Sequence, residues 1–170
     1  SNTAVGSSTL TNNTASSNTA VGRDALNANT SGTRNVAVGA FAMDVTTTGS
    51  YNTGTGYSAL GANTTGSTNV AVGNSALASN TTGSNNTAVG NSSLLLNTTA
   101  SNNTAVGRDA LYANTTGGEN TAVGKGSLST NTTGAYNIAV GSQCLAANTT
   151  AQNNTGLGYY ALAANTTGAA

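Results

Sequence analysis

The amino-acid sequence predicts an all-β chain: a parallel β-solenoid, or β-roll, of ten coils with one seventeen-residue repeat per coil. Three observations predict it. A phrase opened by Asn recurs at residues 2, 18, 35, 52, 69, 86, 103, 120, 137 and 154; the first step is sixteen residues and the other eight are seventeen. The consensus, N-T-A-V-G-x-x-A-L-x-x-N-T-T-G-x-x, alternates short β-favouring runs with turn residues and shows no 3.6-residue apolar spacing. Charged residues make up only 5% of the chain, against roughly 25% in ordinary domains. So polar and uncharged a chain would read as disordered if its repeat were loose. A repeat this strict reads as stacked coils, each residue lying on its own copy above and below.

Each column of the repeat has a physical reading. The opening Asn is present in all ten copies and is expected to form a ladder of side-chain amides along the rod. The second column is Thr, Val or Ile and the fourth is Val, Thr or Leu. Both favour strands, and their spacing of two puts them on one face. The ninth column is Leu, with Met43 the one exception. Columns two, four and nine are therefore expected to form the interior. The fifth column is Gly throughout and predicts a corner with positive φ or a close backbone approach. The N-T-T-G segment predicts a bend in which Asn and Gly take left-handed conformations. Stacked at about 4.8 Å, ten coils make a rod of roughly 45 Å.

The third column is Ala or Gly throughout and includes Ala20, Ala37, Ala71, Ala88, Ala105, Ala122 and Ala139. Its side chains oppose those of columns two and four. A column held to the smallest residues implies close contact with a second wall of the same coil or with another chain. Three sizeable apolar side chains per coil make a small core, and small cores seldom stabilise a chain alone. The reading therefore favours a homo-oligomer, with the Ala column as its packing surface.

The phrase NTAVG…AL…NTTG resembles the short head repeats of trimeric autotransporter adhesins, whose Ser-Val-Ala-Ile-Gly phrase forms a left-handed parallel β-roll with three chains around one axis. It also resembles repeats in phage tail fibres and other large extracellular fibres. The resemblance covers all ten copies. It departs in period, since seventeen is longer than the usual adhesin head repeat, and no neck, stalk or membrane anchor is recognisable. It implies a left-handed homotrimer in an extracellular, cell-surface or virion setting.

Composition excludes most other functions. Net charge is zero and the four basic residues are scattered, so nothing attracts a nucleic acid or an anionic membrane in bulk. No His is present as a base, and Asp24, Asp44, Asp109 and Glu119 are the only acids. Asp24 and Asp109 share the seventh column five coils apart, about 24 Å along the rod. The turns carry Asn and Thr where calcium-binding solenoids carry Asp. Cys144 is the only cysteine and sits in an Ala/Ser column. No enzyme, cofactor or metal is expected.

Two sets of residues are candidates for contact. The Asn-Thr-Thr sequons place candidate glycan acceptors at Asn63, Asn80, Asn97, Asn114, Asn131, Asn148 and Asn165, with the same letters equally explained as bend chemistry. Tyr51, Tyr57, Tyr159 and Tyr160 are candidate aromatics for a host glycan or protein receptor. Residues 1–170 then form one repeat region. It starts and ends on seventeenth-column residues, Ser1 and Ala170, which predicts a piece of a longer fibre or end-to-end docking. The expected function is a structural fibre or adhesin module that displays its variable columns. A receptor-binding tail-fibre segment is the alternative. An ice-binding solenoid is a third, disfavoured because the paired Thr residues are adjacent and not spaced by one.

Overall fold

A computed structural model describes residues 1–168; Ala170, the closing seventeenth-column residue, lies outside the described residues. The chain is a β-solenoid. Ten three-residue strands form a single parallel sheet in sequence order. They are β1 (Thr3–Val5), β2 (Thr19–Val21), β3 (Val36–Val38), β4 (Thr53–Thr55), β5 (Val70–Val72), β6 (Thr87–Val89), β7 (Thr104–Val106), β8 (Thr121–Val123), β9 (Ile138–Val140) and β10 (Thr155–Leu157). Each strand is columns two to four of its repeat, and like columns pair: Ala37 lies beside Ala20 and Gly54. The shortened first repeat does not disturb this register, since Thr3 still pairs with Thr19. Thr14 donates its backbone N–H to Thr30 O as a thirteenth-column residue, and the Asn2 amide reaches Ala15 O as it would a fifteenth-column carbonyl. The missing residue is therefore the second Thr of the bend.

Gly of column five ends every strand, with φ between 120° and 138°. A Cβ on Gly22 would lie 2.5 Å from Gly39 O in the next coil, so neither conformation nor space admits a side chain there. The other corners differ from expectation. The left-handed residues are columns seven, nine and seventeen, as in Asp24 (φ 58°), Leu26 (φ 50°) and Arg34 (φ 57°). Asn63 and Gly66 of the N-T-T-G bend do not take positive φ. A left-handed Leu costs about 1–2 kcal/mol. Here that cost is offset by full burial of its side chain and by an N–H that bonds to the next coil, as from Leu26 to Ala42 O at 3.1 Å.

The interior also differs from expectation. Columns three, eight and nine form it, and Ala37, Ala42 and Met43 are all 0% exposed. Columns two and four point outward: Val36 and Val38 are each 37% exposed. The coil is one Leu thick, so only the smallest side chains fit on the strand opposite that Leu. The Ala column is thus the second wall of the same coil. Ala20, Ala37, Ala71, Ala88, Ala105, Ala122 and Ala139 have no accessible surface left for another chain, which corrects their assignment to an oligomer interface.

The other end of the coil is polar and equally buried. The opening Asn forms a ladder, but its regular rungs run from backbone to side chain: the Asn52 backbone N–H donates to Asn35 Oδ1 at 2.9 Å and the Asn69 backbone N–H to Asn52 Oδ1 at 2.9 Å. Column twelve forms a second ladder, from Asn80 Nδ2 to Asn63 Oδ1 at 2.8 Å and from Asn97 Nδ2 to Asn80 Oδ1 at 2.9 Å. Where both columns hold Asn the two amides converge on one carbonyl in every coil but the last, as Asn52 and Asn63 do on Gly66 O at 2.9 and 3.0 Å. Burying so many amides is tolerable only because nearly every one is satisfied.

Candidate binding surfaces

The strand geometry that hides column three fixes what is presented outward. Successive side chains of a strand alternate in direction, so columns two and four make one continuous outer face across β1 to β10. That face carries only Thr, Val, Ile and Leu. Ile138 is 46% exposed and Val106 37%. No charged residue occurs on it in ten coils. Sequence reasoning placed this face inside; its signal was Thr, which fills most of column two and keeps a hydroxyl that a dry core would leave unpaired.

All eight charged residues lie instead in columns six, seven, ten and seventeen, at the corners. Arg23 and Asp24 form an ion pair at 3.6 Å and Arg108 and Asp109 one at 3.2 Å, each between chain neighbours and solvent-facing. Such pairs contribute little stability. Arg23 also lies 4.4 Å over the Phe41 ring, and Phe41 meets Tyr57 edge-on at 5.7 Å. Burial raises the Asp44 carboxyl above its ordinary value against two opposing backbone hydrogen bonds, with Asp24 adding to the rise. Among the described residues no group of three or more His, Cys, Asp or Glu converges as metal ligands would. Cys144 is buried, and burial pushes its thiol up from the ordinary value.

The candidate aromatics do not gather into one site. Tyr51 sits at the corner before β4 and Tyr57 at the corner after it, so the two flank the strand. Tyr51 stacks with Arg34 of the preceding coil, which also donates to its hydroxyl. Tyr159 and Tyr160 do form a pair, edge-on at 4.5 Å, and are 75% and 53% exposed at the last coil.

The candidate glycan acceptors are the second amide ladder. Asn63, Asn80, Asn97, Asn114, Asn131 and Asn148 are 0% exposed. The Nδ2 that would carry a sugar instead donates inside the coil, as Asn114 does to Asn97 Oδ1 at 3.0 Å and Gly117 O at 2.9 Å. These six residues are structural, which corrects their reading as acceptors. Asn165, in the last coil, is half-buried, and its side chain donates to Gly168 O at 3.0 Å. Among the described residues no helix is long and apolar enough to cross a membrane. Compared with family models, curated proteins and solved structures, the chain matches none.

Proposed function

We propose that the chain is a rigid, non-enzymatic segment of an extracellular fibre, a shaft or adhesin head, that joins copies of itself along its sheet face and displays its variable corners. The observation that carries this reading is the contrast between two surfaces of one coil. The sheet face holds Thr, Val, Ile and Leu through ten coils, whereas the corners accept Arg, Asp, Phe, Tyr, Lys and Gly. A sheet face left to solvent normally turns polar. This one stays half apolar and uncharged over its whole length.

Periodicity selects the partner. A surface repeating every 4.8 Å or so is matched along its full length only by something with the same period. A second copy of the chain meets that condition without further assumption. The strip is narrow, roughly 45 by 10 Å per chain, which falls short of the roughly 800 Å² per partner of a standard interface. Three chains around one axis let each strip meet two others, so a trimer is favoured over a dimer.

Light scattering on the purified chain tests the reading. Three chains per particle are expected, and Val72→Lys with Val106→Lys should return a monomer with unchanged far-ultraviolet dichroism. A wild-type monomer at millimolar concentration would sink the self-association. A monomer showing thermal hysteresis would assign the face to ice, the other periodic partner. The exposed Tyr159–Tyr160 pair favours a second reading, a receptor-binding tail-fibre segment. Binding to a glycan array that survives Tyr159→Ser with Tyr160→Ser would remove it.

A further inference from the structure

Four residues of the variable columns meet on the corner face of the seventh and eighth coils. Column six holds cations in two successive coils, Arg108 and Lys125, the one place where this happens. Column seven holds its single glycine, Gly126, and column ten its single aromatic, Tyr112. Together they open a groove of about 430 Å³, within the range of small-ligand sites. Elsewhere column seven projects a side chain from a left-handed residue; at Gly126 (φ 65°) there is none, and the Gln143 side chain of the next coil reaches across the gap.

We propose that this groove binds a carboxylate-bearing pyranose, a sugar of the uronic-acid class. Its lining supplies the three interactions such a ligand needs. Tyr112, 37% exposed, lines the groove with an aromatic ring, the kind of surface that suits the C–H face of a pyranose. The Gln143 amide and the Ser129 hydroxyl line the groove and suit sugar hydroxyls. Arg108 is engaged by Asp109 at 3.2 Å, while Lys125 makes no ion pair among the described residues. Asp109 lines the groove as well, and its charge is balanced by Arg108, so the one unbalanced ammonium selects a single carboxylate over a polyanion. The rod's net charge of zero provides no long-range attraction to compete with it. The groove lies past the Gly corner from the sheet face, on one chain, so the inference stands whether or not the chain assembles.

The test uses the full chain, with methyl β-glucuronoside, methyl β-glucoside and acetate as probes. Binding is read by amide chemical-shift titration. The variants Lys125→Ser, Gly126→Ser and Tyr112→Ala each install a residue that the same column already holds, at Ser142, Ser75 and Ala78, so the coil tolerates them. The glucuronoside is expected to bind in the millimolar range, with shifts at Gly126 and Gln143. Lys125→Ser should reduce its affinity to that of the glucoside, and Tyr112→Ala and Gly126→Ser should weaken both sugars at least fivefold. Equal binding of glucuronoside and glucoside by the wild type would overturn the proposal. So would acetate binding as tightly as the glucuronoside, variants with unaltered affinity, or no shift at tens of millimolar sugar.

Discussion

Met43 and Gly54 are a size-matched pair across successive coils. Met43 is the one ninth-column residue that is not Leu, and Gly54 is one of two glycines in the Ala column. A Cβ on Gly54 would lie 2.9 Å from Met43 Cγ and 3.1 Å from its sulfur. The missing methyl makes room for the longer side chain. Cys144 and Gly156 repeat the device in the ninth and tenth coils, where a Cβ on Gly156 would lie 2.5 Å from Cys144 Sγ. The interior therefore conserves volume between neighbouring coils and not within one.

This matching predicts a coupled double-mutant cycle. Gly54→Ala alone should destabilise the chain by about 1–3 kcal/mol through overpacking. Met43→Leu alone leaves a void beside Gly54 and should also destabilise, by less. The double variant recreates the Leu60–Ala71 arrangement found one coil on and should recover wild-type stability or exceed it. Denaturant unfolding of the four proteins measures the coupling. Additive effects would mean that the two residues do not share a space.

Thr46 predicts a repair. It occupies the twelfth column, where the other copies carry Asn. With no amide at Thr46 the second ladder is cut. Asn29 Oδ1 and Thr46 Oγ1 are both left buried without a partner. Thr46→Asn supplies a donor to Asn29 and an acceptor for Asn63. It should stabilise the chain by about 1–3 kcal/mol, the cost of one buried unsatisfied group. Thr46→Val removes the orphan hydroxyl but leaves Asn29 unpaired, so it should gain less. A melting temperature higher for Val than for Asn would mean that the ladder is not continuous through this coil.

How much of this was legible in the sequence depends on what repetition reports. Stacking places like on like, so the period, the parallel strands and the first Asn ladder follow from letters alone. The inward direction does not follow. Alternation states only that Ala37 opposes Val36 and Val38; it does not say which of them faces in. That is decided by coil thickness, and the clue lay in exceptions. Met43 and Gly54 depart together in adjacent coils, which requires column three to meet column nine. The N-T-T-G letters were ambiguous for a different reason: Asn97-Thr98-Thr99 spells both a glycan acceptor and a ladder rung, and only burial separates the two. Left-handed Leu, as at Leu77 (φ 53°), was beyond sequence reasoning because propensity argues against it and tertiary burial overrides it.

The buried ladder predicts the pattern of glycan occupancy. Chain secreted from a glycosylating host and recovered folded should carry no glycan at Asn63, Asn80, Asn97, Asn114, Asn131 or Asn148. Asn97 Nδ2, for example, is committed to Asn80 Oδ1 at 2.9 Å and Ala100 O at 3.0 Å. Asn12 and Asn91 are exposed sequons and remain open to modification. Peptide mapping by mass spectrometry reads each site. A glycan on Asn97 in soluble, folded protein would contradict the enclosed ladder.

Asp44 predicts how stability depends on pH. Burial is the largest cause of its raised value, and the charge of Asp24 adds to it. The folded chain therefore holds this proton more tightly than the unfolded chain does. Stability contributed by the group is present in acid and declines as pH rises from the ordinary aspartate value of 3.8 through the raised one. Above that interval the cost of the partly buried carboxylate is fully felt and no longer changes. Asp44→Asn places in column ten a residue that column already holds at Asn27, and it carries no titrating group. The variant should be more stable than the wild type at neutral pH, with the advantage shrinking as the pH falls to that of an ordinary carboxyl. Urea midpoints for both proteins across pH 3 to 7 give the comparison. An advantage that stayed constant over that range would mean that Asp44 titrates alike in the folded and unfolded chains.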